Sequence, residues 1–255
     1  MINLKNSLGP LKNKLVPEVK TKDFIGKLLS FESREAYNLL RTNLLLSFPS
    51  DTPSHVMGVT SAYRGDGKSI TSLNIAYSFG AVGKKVLLIE CDLRLPTLAK
   101  NLELPKGKGI SNYLVGQCGL KDIIQTTSFN ENIHVITSGT IPPNPSELLS
   151  SNKMKQLVEE LRGMYEFIIL DLPPVEAVSD ALIVSPITDG MLVVVRQNYT
   201  ETTGLAKTMR QFEYANVKVL GFVFNDYIET SSKYYKKYER KYKKYRRYYK
   251  YYKKS

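Results

Sequence analysis

The stretch AYRGDGKS, residues 62–69, decides how the rest of the chain is read. It is the pattern G-x-x-x-x-G-K-[ST] with Ala62 in place of the first Gly, and it lies between an apolar run (HVMGVT, 55–60) and a segment of helical spacing (69–82). That strand, loop and helix order separates a phosphate cradle from a chance Gly-rich turn. Gly65 and Gly67 allow the loop to turn its N–H groups towards phosphate oxygens, and the helix behind it adds the positive end of its dipole. In such a loop Lys68 reaches the β and γ phosphates and the Ser69 hydroxyl holds Mg²⁺. Arg64, Asp66 and Ile70 complete the cofactor-binding stretch.

Working outward, short β-rich runs alternate with helical ones. Strands are expected at 55–60, 86–90, 133–137, 167–171, 191–195 and 217–224, and helices at 32–47, 69–82, 151–163 and 200–214. Runs such as VLLI, FIIL and MLVVV are apolar at successive positions, as in parallel strands covered on both faces. This predicts an α/β domain built on a doubly wound, mostly parallel sheet, whose ligands bind beyond the carboxyl ends of the strands.

Three strand ends carry polar side chains. FIILDLPP places Asp171 where a carboxylate can hold the water shell of Mg²⁺, with a strand-end cap as the weaker reading. VLLIECDLRLP places Glu90 and Asp92 two residues apart, on one side if the chain stays extended, with Arg94 continuing the alternation. On that basis three acids converge on one metal and phosphate site. Moving a γ-phosphoryl group needs a group that accepts a proton or orients the nucleophile, and Asp92 is the candidate. An ion pair with a neighbouring base is the competing reading for Glu90. GFVFNDY puts Asn225 where its amide can meet the base of a nucleotide, although a turn-forming Asn-Asp at a strand exit explains it equally well.

Of 255 residues, 36 are Lys or Arg and 24 Asp or Glu, a net charge of +12. Residues 233–255 (KYYKKYERKYKKYRRYYKYYKKS) carry twelve Lys/Arg, one acid and nine of the 17 Tyr, so the body of the chain holds only +1. A basic, nucleic-acid-seeking domain is therefore not indicated. There is no run of 18 apolar residues and no signal-peptide pattern at the N-terminus, which argues against a spanning or secreted chain. Cys91 and Cys118 lack metal-ligand spacing, and His55 and His134 occur singly at strand positions, as packed residues do. Residues 1–30 read as an N-terminal arm, 31–230 as the P-loop domain, with Ser30 capping its first helix and Pro49 closing that segment, and 231–255 as a tail.

Three readings compete for the tail: binding of nucleic acid or an anionic membrane, a helix with a Tyr stripe, or a cluster of phosphoacceptors. Its net charge of +11 without an aliphatic anchor predicts disorder rather than a packed helix. Each phosphotyrosine adds about −1.5 to −2, so roughly six or seven would neutralise the segment. The acceptors are then Tyr234, Tyr235, Tyr238, Tyr242, Tyr245, Tyr248, Tyr249, Tyr251 and Tyr252.

AYRGDGKS, LLIECDLRLP and IILDLPP in that order, followed by a Tyr-rich end, resemble the bacterial tyrosine kinases (BY-kinases) of capsule and exopolysaccharide synthesis over residues 30–255. SGTIPPNPSELL (138–149) and the pair Ser179-Asp180 are also similar to that family. The resemblance implies Walker A, A′ and B motifs at 62–69, 90–94 and up to Asp171, with Lys68, Glu90, Asp92 and Asp171 catalytic and Ser69, Asp92 and Asp171 around Mg²⁺. It further implies an ATP-dependent protein-tyrosine autokinase, cytoplasmic and peripheral to the inner face of the membrane, that phosphorylates its own tail in trans. A transmembrane adaptor that activates it, a cognate tyrosine phosphatase and a ring-like homo-oligomer belong to the same implication, with no nucleic acid expected. The family's helix motif E-x-x-R-x-x-R is met here by Glu35, Asn38 and Arg41, and its usual Walker A′ Asp by Glu90. Septum-positioning and plasmid-partitioning ATPases share this deviant Walker architecture, but their signature Lys falls at Tyr63 here. The alternative is such a partitioning-type ATPase with a basic tail for DNA or membrane.

Overall fold

The computed structural model describes residues 25–105 and 107–227. In chain order the elements are α1 (Phe31–Ser47), β1 (His55–Ser61), α2 (Lys68–Gly80), β2 (Val86–Glu90), α3 (Leu98–Asn101), α4 (Ile110–Leu114), β3 (Gln125–Thr126), β4 (Ile133–Ile136), α5 (Pro145–Ser150), α6 (Asn152–Arg162), β5 (Phe167–Asp171), α7 (Asp180–Val184), β6 (Gly190–Arg196), α8 (Thr202–Tyr214) and β7 (Val219–Asn225). The seven strands lie in the order β3-β4-β2-β5-β1-β6-β7. Only the short edge strand β3 runs antiparallel to its neighbour, pairing Gln125 with Val135.

β2 and β5 are buried at every position, and alternation sends their side chains to two different cores. Leu87, Ile89, Ile168 and Leu170 join Leu157 and Leu161 of α6 and Phe212 of α8 on one face. Val86, Leu88, Phe167 and Ile169 join Leu73, Ile75 and Phe79 of α2 and Leu44 of α1 on the other. Phe79 stacks on Phe167 at 3.9 Å between ring centroids. Full burial of a ring of this size contributes about 1.5–3 kcal/mol. Helices thus cover both faces, as the unbroken apolar runs predict.

In register, Asp171 lies beside Val59 on one side and Glu90 on the other. The exits of β1, β5 and β2 are therefore neighbours at the carboxyl end of the three central strands, where the motifs meet.

Helix and strand ends depart from the expected ones for local reasons. Ser30 does cap α1, accepting the Ser33 N–H at 3.1 Å. α2 stops at Gly80, not residue 82, because Gly83 turns the chain with φ +82° while its N–H bonds the Gly80 carbonyl. α8 begins at Thr202 because Thr200 is held in the preceding loop by the Arg196 N–H. The short β3, α3, α4, α5 and α7 have too few residues to show a period. The expected arm is described only from Ile25, and there it is docked. Ile25 is buried against the α1/α2 core, and the Gly26 N–H donates to Asn74 Oδ1 at 3.0 Å.

The two histidines are packed: His55 stacks on Phe48 at 4.5 Å, and His134 Nδ1 lies 2.7 Å from the Tyr165 hydroxyl. Both cysteines are free, Cys91 fully buried. Among the described residues no helix is long and apolar enough to cross a membrane.

Candidate active site

The loop after β1 takes the shape its sequence demands. Gly65 and Gly67 have φ +91° and +95°, left-handed values that favour glycine, and α2 starts at Lys68 directly behind them. The first N–H groups of α2 have no intrahelical acceptor and face the loop, a standing anion site. Asp66 is fully buried and acts within the loop: its carboxylate accepts the Tyr63 N–H at 3.0 Å and the Thr200 hydroxyl at 2.7 Å. Arg64 is exposed, and Ser69 and Ile70 sit half-buried in the first turn of α2.

The acids are sorted by the end of β2. Because the strand stops at Glu90, the extended alternation through Asp92 and Arg94 does not hold, and the three side chains go to three places. Asp92 faces the loop, its Oδ2 3.5 Å from Lys68 Nζ, while its Oδ1 accepts the Leu95 N–H at 3.1 Å. Glu90 turns the other way. Its Oε1 accepts the N–H groups of Thr97 (2.5 Å) and Leu98 (2.6 Å), and its Oε2 accepts that of Ser138 (3.0 Å). The carboxylate is 1% exposed and ties the exit of β2 to the exit of β4, with backbone N–H groups where a basic side chain was the competing expectation. The expected convergence of three acids on one point does not form: the Glu90 oxygens are taken by backbone N–H groups, while Asp92 faces Lys68 and Asp171 lies buried at the end of β5.

Arg94 pairs with the fully buried Asp180, Nε to Oδ2 at 3.1 Å, and reaches the Ser146 hydroxyl at 2.8 Å, which itself donates to Asp180 Oδ1 at 2.6 Å. The segments 138–149 and 179–180, which the sequence analysis noted only by resemblance, are thus locked onto the Walker A′ loop.

Asp171 is 1% exposed and receives a hydrogen bond from the Ser72 hydroxyl at 3.3 Å. Burial pushes its carboxyl up to about 6, against the pull of Lys68 and Ser69 and with help from Glu90 and Asp92. The same acids, after burial itself, push the Cys91 thiol well up, so it is no nucleophile. A buried carboxylate beside a serine hydroxyl, with Lys68 as its nearby cation, supplies oxygen donors that fit a hard cation such as Mg²⁺. Among the described residues no three His, Cys, Asp or Glu are grouped to bind a metal by themselves, so water and phosphate oxygens would have to complete the shell.

The folded value of Asp171, about 6, lies above its ordinary 3.8. The penalty on the nucleotide-free fold is therefore absent below pH 4, grows from pH 4 to 6 and is complete above that. The stability of Asp171→Asn relative to wild type should rise by about 3 kcal/mol between pH 4 and pH 7. Thermal unfolding at a series of pH values measures it, and a difference that stays flat rejects it.

Asn225 stands at the end of β7, but its amide nitrogen donates to the Asp66 carbonyl at 2.8 Å. Three further residues at this loop escaped the sequence analysis, Arg196, Tyr199 and Thr200, and no motif marks them. The nine expected acceptor tyrosines, Tyr234 to Tyr252, lie outside the described residues.

Residues 54–220 match a family described as an AAA domain. The chain is 38% identical over 191 residues to the tyrosine-protein kinase YwqD of Bacillus subtilis (strain 168), covering 75% of this chain and 80% of that one. It is 34% identical over 205 residues to the putative tyrosine-protein kinase CapB of Staphylococcus aureus, covering 80% and 89%. The kinase domain of the Escherichia coli tyrosine kinase ETK superposes with a TM-score of 0.73 at 32% identity, over 78% of this chain and 77% of that one. Identity above 30% across more than three quarters of each of these proteins is kinship and not shared architecture alone: the chain belongs to the bacterial tyrosine kinases and is a protein-tyrosine kinase.

Proposed function

We propose that this kinase uses MgATP to phosphorylate the Tyr cluster at 234–252 of a neighbouring copy, and that the modification controls capsule or exopolysaccharide synthesis and export. The observation that carries the reading is the pairing of Lys68 with Asp92 at 3.5 Å in front of a loop with left-handed Gly65 and Gly67, in a chain that ends in nine tyrosines. Lys68 holds the transferring phosphoryl oxygens. Asp92 takes the proton of the acceptor tyrosine as its oxygen bonds to phosphorus and the bond to ADP breaks. Ser69, Asp92 and Asp171 would hold Mg²⁺, which would offset the charge of the phosphates. Glu90 serves as a positioning residue that sets the Asp92 loop.

The unmodified tail, basic between its tyrosines, is drawn to this acidic centre, and phosphorylation reverses that attraction. Self-association through α1 belongs to the proposal. There Asn38 accepts from Arg41 at 3.0 Å and donates to Glu35 at 3.0 Å, and Arg41 also bonds the Ser78 carbonyl at 2.7 Å. Leu39 and Leu46 of α1 are 63% and 81% exposed, an apolar face suited to a second copy. A transmembrane adaptor would hold the enzyme at the inner membrane face and activate it, and a tyrosine phosphatase would reset the tail.

Intact-mass spectrometry after incubation with MgATP tests the central claim. Wild type should gain several phosphates, all mapping to 234–252, and substitution of those tyrosines by Phe should remove them. A wild-type chain without phosphate there would sink the reading.

A further inference from the structure

The loop that grips phosphate is itself gripped from behind. The Tyr199 hydroxyl donates to the Arg64 carbonyl at 2.8 Å, Arg196 Nη1 to the Gly65 carbonyl at 3.1 Å, and Asn225 Nδ2 to the Asp66 carbonyl at 2.8 Å. Three consecutive carbonyls are thus held by the segment 196–200, which joins β6 to α8, and by the end of β7. Thr200 adds a fourth bond, donating to Asp66 Oδ1 at 2.7 Å while accepting the Arg196 N–H at 2.7 Å. Arg196 is steadied by Asp226 at 2.6 Å and lies 5.1 Å from the centre of the Tyr199 ring. The Gln197 N–H bonds the Asn225 carbonyl at 3.1 Å, which joins both parts.

We propose that Arg196, Tyr199, Thr200 and Asn225 form a strap that sets the phosphate-binding conformation of the loop, so that Asn225 positions the loop and does not read the base. In a trans peptide the C=O and the following N–H point to opposite sides. Fixing the carbonyls of Arg64, Gly65 and Asp66 outward therefore turns the N–H groups of Gly65, Asp66 and Gly67 towards the ligand. Each group aimed in advance is one less to order on binding. The strap also gives the two glycines a second reason. A Cβ on Gly65 would stand 2.9 Å from the Tyr199 hydroxyl, and one on Gly67 would collide with the Asn225 amide.

The inference rests on the nucleotide-binding reading of the site and is tested apart from kinase activity. Isothermal titration of tripolyphosphate, ADP and GDP, each with Mg²⁺, is compared for wild type, Tyr199→Phe, Thr200→Val and Asn225→Ala. The strap predicts that each variant weakens all three probes by a common factor, roughly three- to tenfold for Tyr199 and Asn225 and tenfold or more for Thr200, whose partner is charged. The ADP to GDP ratio should stay within twofold of wild type, and Thr200→Ser should restore binding. Tyr199→Phe removes one oxygen from a half-exposed ring, so it keeps the test open if Thr200→Val does not fold. Wild-type affinity in all variants overturns the strap. So does an Asn225→Ala chain that changes base preference tenfold while tripolyphosphate binds as before. Wild type that binds nucleotide in the expected pattern but makes no phosphotyrosine at 234–252 defeats the proposed phosphorylation of the tail and leaves the strap standing.

Discussion

A Lys68→Met chain incubated with MgATP is expected to carry no tail phosphotyrosine, a loss of roughly 10³-fold or more in rate. Lys68 Nζ is the cation 3.5 Å from Asp92, and it is also the group that most opposes the upward push on the Asp171 carboxyl. Its removal takes away the counter-charge for the transferring phosphoryl group and drives Asp171 further towards its protonated form. Two effects on one step make this the most damaging single change in the site. The fold should survive, because Lys68 stands at the first position of α2, where Met is an equally good helix former of similar volume. Phosphate counted by intact mass and a melting curve recorded beside it give the result. Phosphotyrosine persisting at the wild-type level would exclude this lysine from the chemistry.

Asp92→Asn and Glu90→Gln should part company, although the two acids are separated by a single residue. Asp92 is anchored by the Leu95 N–H and aims its free oxygen at Lys68, so removal of its charge should leave the fold intact. The rate of tail phosphorylation should fall by about 10²–10⁴-fold, the usual contribution of a positioned base. Glu90 has both oxygens engaged by backbone N–H groups of Thr97, Leu98 and Ser138. Glu90→Gln would point an amide nitrogen at one of these donors and weaken charge-assisted bonds. It should cost about 2–4 kcal/mol of stability, read as a melting temperature lower by roughly 5–15 °C. Its residual activity per folded molecule should remain well above that of Asp92→Asn. A Glu90→Gln chain of wild-type stability with no phosphotransfer would make Glu90 the base instead. The geometry also gives a use for the length of the Glu90 side chain, which spans from 97–98 to 138.

Both faces of the sheet could be read from runs such as FIIL, since only a strand covered twice can afford apolar side chains at successive positions. The loop at 62–69 was equally legible, because left-handed Gly65 and Gly67 and a lysine before a helix are local requirements. Asp171 could be placed from sequence for the same reason, as a charge at the end of a buried strand. The roles of Glu90, Asp92 and Arg94 could not be separated in this way. Where β2 stops is decided by what the next segments offer, and α3, Ser138 and Asp180 come to that point from 7 to 86 residues away. The strap was out of reach altogether: Thr200 and Asn225 meet Asp66 across 134 and 159 residues, and neither belongs to a pattern. What the sequence alone determined is what short-range chemistry demands: the parallel sheet, the phosphate loop and the Tyr-rich basic end. The tertiary structure decided which carboxylate faces Lys68 and what holds the loop in shape, because side-chain direction beyond a strand end depends on partners brought together only by the fold.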